Sequence, residues 1–331
     1  MDKNFPKISI VTPSFNQGKY IEQTIQSVFN QNYPNLEYII IDGGSTDNTF
    51  EIIKKYEQHL SYWISEPDKG QTHAINKGFA KCTGEIFNWI NSDDYYEPGA
   101  FEKLAKLFTE HPNVNVVCGK EWSFNNERPD EKTLNAGSII KENVYETIRV
   151  GIIDQPCTFF RKKKIDAFFP LDESLHYVMD RQLWWSYLLK YGQGDILQTD
   201  EILTWFRLHP QSKSIEQQKY FKAETDLLRL SLFRHLDAPT ILEEQLNVIH
   251  RPALAIGWTI LIPNSTKILA AFAAHYAERN YVKNHLEATS KLVNFVMRWK
   301  GFGMNEKEWK LWIAACFLPG PMTRIIKKLK N

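Results

Sequence analysis

Lys7-Ile8-Ser9-Ile10-Val11-Thr12-Pro13-Ser14-Phe15-Asn16-Gln17-Gly18 is a short apolar run suited to a buried strand, broken by a cluster of turn formers. Beyond it, Ile21, Ile25, Val28 and Phe29 recur at i, i+4, i+7 and i+8, the stripe of a helix that lays one apolar face on a sheet. Asn32 to Pro34 close that helix, and Leu36 to Ile41 reads as a second buried strand. It stops at Asp42-Gly43-Gly44-Ser45-Thr46-Asp47, where glycine permits backbone angles that other residues resist and Ser45, Thr46 or Asp47 can cap the next helix. The alternation continues through Tyr62–Ser65, Thr72–Phe79 and Glu85–Ile90, each joined by a short polar link. Strand and helix in turn predict an α/β fold, a parallel sheet with helices on both faces.

In such a sheet the links after each strand gather on one edge, so Thr12–Asn16, Asp42–Asp47, Glu66–Lys69 and Asn91–Asp94 would frame one cleft. Trp89-Ile90-Asn91-Ser92-Asp93-Asp94 runs apolar residues into two adjacent carboxylates, a pattern suited to a hard divalent cation that keeps room for phosphate oxygens. A solvated turn is the alternative, since Pro98-Gly99 continue the loop chemistry. Asp42, Asp68, Lys69, Asp93 and Asp94 would share the cleft, and clustered carboxylates repel unless a cation or a hydrogen-bonding ligand offsets them. A nucleotide carrying a divalent ion supplies both.

Val11-Thr12-Pro13-Ser14-Phe15-Asn16, Ile41-Asp42-Gly43-Gly44-Ser45-Thr46-Asp47, Glu66-Pro67-Asp68-Lys69-Gly70, Ala74-Ile75-Asn76-Lys77-Gly78 and Asn91-Ser92-Asp93-Asp94 stand in one order and spacing. That series resembles the family 2 glycosyltransferases. The resemblance implies a GT-A fold, a Rossmann-like and mostly parallel sheet flanked by helices, and an inverting hexosyl transfer from a nucleoside-diphosphate sugar. By it, Thr12, Pro13 and Phe15 would line the base and ribose pocket, Asp42 would accept from the base, and Asp68 and Lys69 would lie near the nucleotide. Asp93 and Asp94 would hold Mg²⁺ or Mn²⁺ against the diphosphate. Asn91 departs from the pattern, standing where many relatives carry the first acid; an amide oxygen still ligates or accepts from ribose, with one charge fewer. Residue by residue, other readings stay open: Asp42 and Asp47 as turn and cap residues, Phe15 as a core aromatic, Lys69 as a surface charge.

The second half must supply a base for the attacking hydroxyl. Asp180 opens Asp180-Arg181-Gln182-Leu183-Trp184-Trp185-Ser186-Tyr187-Leu188-Leu189, in which Leu183, Trp184, Tyr187 and Leu188 share a helical face, so its carboxylate would sit at a helix start. An acid there ordinarily serves only the helix dipole. Tyr177-Val178-Met179-Asp180 followed by Leu183-Trp184 resembles the segment in which the family keeps its general base. Gln155-Pro156 with Cys157-Thr158-Phe159-Phe160 reads as a strand returning to the cleft, with Gln155 a contact to the donor sugar or acceptor. After a strand-like Asp195–Leu203, Arg207 and His209 would point the same way along an extended chain and reach one diphosphate. With Ser212 and Lys213 they resemble the family's loop over the diphosphate, and His209 joins Asp93 and Asp94 in the expected metal set; a lone surface histidine is the alternative.

The chain has 331 residues, 43% of them hydrophobic, enough for one substantial α/β domain and an appendage. A formal net charge of +1 with dispersed Lys and Arg argues against a nucleic-acid binder. Cys82, Cys118, Cys157 and Cys316 show no paired metal spacing, and no secretory signal precedes the first strand, so a cytoplasmic setting is expected. The division expected is a catalytic domain over 1–215 and a helical region over 216–331, with a helix from Ile215 to His235 and apolar segments at Ala253–Ile262, Ile268–Ala274 and Leu311–Leu318. None is long enough to span a bilayer. Trp309 and Trp312 with Arg324, Lys327, Lys328 and Lys330 suit peripheral contact with the inner face of an anionic membrane, as a lipid-linked glycan acceptor would favour, or else a helical subdomain with a basic end. Two rivals remain: an oxidoreductase, disfavoured because Asp42 precedes the glycines and the three-glycine fingerprint is missing, and a silent binding protein of the same fold.

Overall fold

β1 (Ile8–Ser14) is buried along its whole length, as a strand must be when sheet neighbours flank it and helices cover both faces. In this computed structural model, which describes residues 5–210, 212–213, 217–246, 248, 254 and 256–300, β1 lies parallel to β2 (Leu36–Asp42). On the other side it lies parallel to β4 (Ile86–Trp89), and β3 (Tyr62–Ser65) extends the parallel set beyond β2. α1 (Ile21–Phe29), α2 (Thr49–Lys55) and α3 (Gln71–Phe79) connect these strands. The apolar stripe of α1 behaves as its spacing predicts, with Ile21, Ile25 and Val28 fully buried. All four strands end at the same edge, at Ser14, Asp42, Ser65 and Trp89.

Past β4 the sheet turns mixed. Its order is β3-β2-β1-β4-β8-β6-β9-β5, with β7 paired only to β6. The short β5 (Tyr95–Tyr96) follows the acid loop, α4 (Ala100–Glu110) packs on the core, and β6 (Val116–Asn125) turns back as β7 (Arg128–Asn135). β8 (Thr158–Arg161) runs antiparallel to both β4 and β6, whereas β9 (Ile196–Leu208) runs parallel to β6. No element is expected from the sequence over the residues of β7. Its charged residues face solvent along an edge, so no apolar period marks the strand.

α7 (Met179–Tyr191) follows the short helices α5 (Val144–Val150) and α6 (Lys162–Ile165), and departs from its expected one-faced pattern. Residues 182–189 are all buried, among them Trp184, Trp185, Tyr187 and Leu188 at 0% exposure. A helix apolar around its circumference is one enclosed by the core.

Contacts divide the chain into two compact units, residues 1–140 with 151–224, and 141–150 with 225–331. The first continues past the boundary expected near residue 215, because the start of α8 (Gln218–His235) bonds to the segment before α7 through Glu224. In the second unit α10 (Thr266–Val282) and α11 (Leu286–Lys300) follow the one-turn α9 (Thr240–Glu243), and Phe272 of α10 meets Phe233 edge to face at 5.1 Å. Among the described residues no helix is long and apolar enough to cross a membrane. The expected Leu311–Leu318 segment and the aromatic and basic end from Trp309 lie outside the described residues, as does part of Ala253–Ile262.

Gly78 fixes how closely α3 approaches β1. A Cβ there would stand 2.4 Å from Cγ1 of Val11, so the absent side chain is what lets helix and strand touch. Gly78→Ala is expected to lower stability by about 1–3 kcal/mol despite the roughly 1 kcal/mol gained in helix propensity. Urea unfolding measures the loss, and Val11→Ala in the same chain should recover part of it.

Candidate active site

The strand ends open on a cleft of about 860 Å³. Pro13, Phe15 and Asp68 line it, and the Phe15 ring is 58% exposed at its rim, which removes the reading of Phe15 as a core aromatic. Thr12 lies beneath, fully buried, its hydroxyl 3.0 Å from that of Tyr38. Asp42 is fully buried too, and its carboxylate accepts from the Ser45 amide and from the hydroxyls of Ser45 and Ser65. Those bonds hold the Asp42–Asp47 loop in shape. Gly44 adopts φ +81°, and a Cβ on Gly43 would stand 2.9 Å from Oδ2 of Asp68, so the two glycines let Asp68 close against the loop. Lys69 points out, 3.5 Å from Glu173 on the surface, and does not line the cleft.

The adjacent acids after β4 sit in a turn, closed by the Asp94 amide donating to the Asn91 carbonyl at 3.1 Å, and face different ways. Asp93 lines the cleft, with Oδ2 3.1 Å from Nε2 of His209. Asp94 is 1% exposed and accepts from the Arg207 amide at 2.9 Å and from Nδ2 of Asn91 at 3.2 Å. Burial, then the charge of Asp93, pushes the Asp94 carboxyl well above the usual range. Asn91 lines the cleft and accepts from Nε2 of Gln71 at 2.7 Å.

Arg207 also borders the cleft, yet its guanidinium is held from several sides. Nε donates to the Asp93 carbonyl at 2.8 Å, the two Nη atoms donate to Asn126 and Gln23, and the plane lies over Tyr20 and Phe124, each at 4.9 Å. The ring of His209 packs on Tyr20 at 4.7 Å, and its buried Nδ1 has no hydrogen-bond partner among the described residues. Asp93 with the Nε2 of His209, and the Asn91 amide nearby, is a donor set that fits Mg²⁺ or Mn²⁺.

Asp180 stands at the first turn of α7 and lines the same cleft. Burial raises its pKa, against the lowering effect of the Arg181 charge and of the Arg181 amide, which donates to Oδ1 at 2.7 Å. The segment leading to it is fastened by Glu224, whose carboxylate accepts from the amides of His176, Tyr177 and Val178 at 2.9, 2.7 and 3.2 Å. Nothing in the sequence marks Glu224, one acid among the polar residues of α8. Glu224→Ala leaves these amides without their acceptor and is expected to cost about 3 kcal/mol in urea unfolding.

Gln155 reaches the cleft with Nε2 bonded to Oδ1 of Asn88 and to the Trp89 carbonyl, each at 2.6 Å. Lys213 lines it as well, with Nζ 3.1 Å from Oε1 of Gln71 and 3.4 Å from the His176 carbonyl. Two further acids in the cleft, Glu121 on β6 and Asp154 before β8, were missed by the sequence reading, which assigned no element to either. Burial pushes both carboxyls up, and the charge of Asp154 adds to the effect on Glu121.

The sequence profile of glycosyl transferase family 2 matches residues 9–169, from β1 to just past β8. These residues are a family 2 glycosyltransferase domain. An uncharacterised glycosyltransferase of Rickettsia typhi is 31% identical over 197 residues, 55% of this chain and 59% of that protein. A putative teichuronic acid biosynthesis glycosyltransferase of Bacillus subtilis, TuaG, is 32% identical over 136 residues, 40% of this chain and 53% of that protein. The chain spans about three fifths of the length of the first curated relatives it matches. Among solved structures, S. aureus TarS 1–349 in complex with UDP-GlcNAc superposes with a TM-score of 0.54 at 17% identity, over 93% of this chain and 79% of that one, a likeness of fold. The family 2 domain holds Pro13, Phe15, Asp68, Asn91, Asp93 and Gln155; Asp180 and Arg207 lie beyond the match.

Proposed function

We propose that the chain is an inverting glycosyltransferase that moves a sugar from a nucleoside-diphosphate sugar to an acceptor hydroxyl. The observation that carries this reading is the presence of Asp180 in the same cleft as Asp93 and Phe15, which gives one cavity a base, a metal-binding acid and a stacking ring. Phe15 and Pro13 receive the nucleoside, and Asn91 and Gln71 meet the ribose or phosphate oxygens. Asp93 and His209 would hold Mg²⁺ or Mn²⁺, which would supply positive charge to offset that of the departing diphosphate. Lys213 adds to that charge; Asp180 takes the proton of the acceptor hydroxyl as the hydroxyl oxygen bonds to the anomeric carbon, and the bond from that carbon to the diphosphate breaks in line, releasing the nucleoside diphosphate. One displacement inverts configuration, so an α donor gives a β linkage.

The TarS structure contains UDP-GlcNAc, which favours a nucleotide-sugar donor, and TuaG is named for teichuronic acid synthesis, which favours a bacterial surface glycan as acceptor. Thermal shift against nucleoside diphosphates and their sugars, each with and without Mn²⁺ or Mg²⁺, tests the reading. Saturable stabilisation that needs the metal, followed by slow hydrolysis of the donor, is the expected result. Stabilisation with no turnover of any donor would favour a silent binding protein of the same fold.

A further inference from the structure

Glu121 and Asp154 have no part in the chemistry just described, yet both open on the cleft that holds Asp180. A side-chain oxygen of each and Sγ of Cys157 lie within 4.8 Å of one another. Glu121 is 3% exposed; Oε1 accepts from Nδ2 of Asn135 at 3.0 Å, and Oε2 has no hydrogen-bond partner among the described residues. No lysine, arginine or histidine among the described residues forms an ion pair with either acid. An acid pair of which one member is buried and the other half-buried, without a counter-charge, is costly unless a ligand donates to it.

A metal does not suit these three groups. The Cys157 thiol is fully buried, donates to the Gly119 carbonyl at 3.3 Å, and is pushed well above the usual thiol range by burial, so it offers no thiolate. A hard cation would also choose carboxylate and water over sulfur. Uncharged O–H donors fit better. Two neighbouring hydroxyls can each donate to a carboxyl oxygen of the pair, one of them to the unpartnered Oε2 of Glu121. Ile153 and Phe206 line the cleft too and present apolar surface for the C–H face of a sugar ring.

We propose that Glu121 and Asp154 form an acceptor subsite that binds two vicinal hydroxyls of a sugar while a third hydroxyl faces Asp180. This rests on the transferase reading above. The site therefore selects an acceptor by its diol and not by charge.

The test uses the full chain and the donor found by thermal shift. Release of nucleoside diphosphate is followed with the methyl glycosides of mannose, galactose and glucose, each beside an analogue lacking one vicinal hydroxyl. At least one glycoside is expected to raise release above the hydrolytic background, and its deoxy analogue to require about tenfold more for the same effect. Asp154→Asn and Glu121→Gln, both close in shape to the native residues, should each raise the KM for that glycoside about tenfold against less than about twofold for the donor. Unfolding midpoints confirm that both variants fold. An unchanged glycoside KM in both variants would overturn the subsite, and so would a donor KM that rises in step. Acceleration by 2-amino-2-deoxy sugars alone, or by no glycoside, would overturn it too. Failure of the transferase reading itself shows earlier, as absent nucleotide stabilisation and absent donor hydrolysis before any glycoside is added.

Discussion

Asp180→Asn is expected to lower sugar transfer by about 10²- to 10⁴-fold, the usual worth of a positioned general base, while nucleoside diphosphates still bind. Asparagine keeps the shape and the oxygen that accepts from the Arg181 amide, so the helix start survives and only the proton acceptor is lost. The pH profile gives a second readout. Because burial holds the Asp180 pKa above the ordinary value, the basic form needed for catalysis fills only as pH rises through that raised value. The acid limb of the wild-type profile should therefore lie above about pH 4, the ordinary carboxylate range, and the residual activity of Asp180→Asn should lack it.

Stability should move the other way. A carboxyl whose pKa is raised by folding stabilises the native state fully below its unfolded value, and that contribution is lost as pH rises through the folded value. Asp180→Asn is thus expected to be at least as stable as wild type in urea at pH 8. A variant that folds and turns over at the wild-type rate would remove Asp180 from the reaction.

Asp93→Ala is expected to abolish the part of nucleotide binding that depends on Mn²⁺ or Mg²⁺. Losing one charged ligand of this kind is worth about 1.5–3 kcal/mol, or roughly 10- to 100-fold in nucleoside-diphosphate affinity. Calorimetric titration with the metal present should show that loss, and titration with chelator present should show wild type and variant alike. Asp94→Ala offers a contrast. Its carboxylate holds the Arg207 amide and the Asn91 side chain, so its removal should cost stability first and metal response second. Equal metal titrations for Asp93→Ala and wild type would exclude Asp93 as a ligand.

Much of the fold was legible because the first four strands and three helices obey simple periods. The run Ile8-Ser9-Ile10-Val11 and the stripe Ile21, Ile25 and Val28 bury as their spacing requires. The mixed half of the sheet was not legible: β7 is charged and edge-exposed, and the direction of β8 depends on partners that its four residues do not encode. At the site, sequence order brought Phe15, Asp68, Asn91, Asp93, Gln155, Arg207 and Asp180 to one cleft. It could not tell which way a side chain turns. Asp42 and Asp94 look equally like ligand acids in sequence, yet both spend their oxygens on protein donors, and Glu121 and Asp154 came to light only once β6 and β8 were placed side by side.

The enclosure of α7 also bears on how such a protein can change over time. Its residues from Gln182 to Leu189 touch core on all sides, so almost any replacement there disturbs the placement of Asp180. The exposed rim at Phe15 and the solvent-facing strand β7 carry no such burden. Random mutagenesis selected for activity should leave α7 nearly untouched and let changes accumulate at the rim. New donors and acceptors would then be reached by altering the cleft's edges around a base that stays in place.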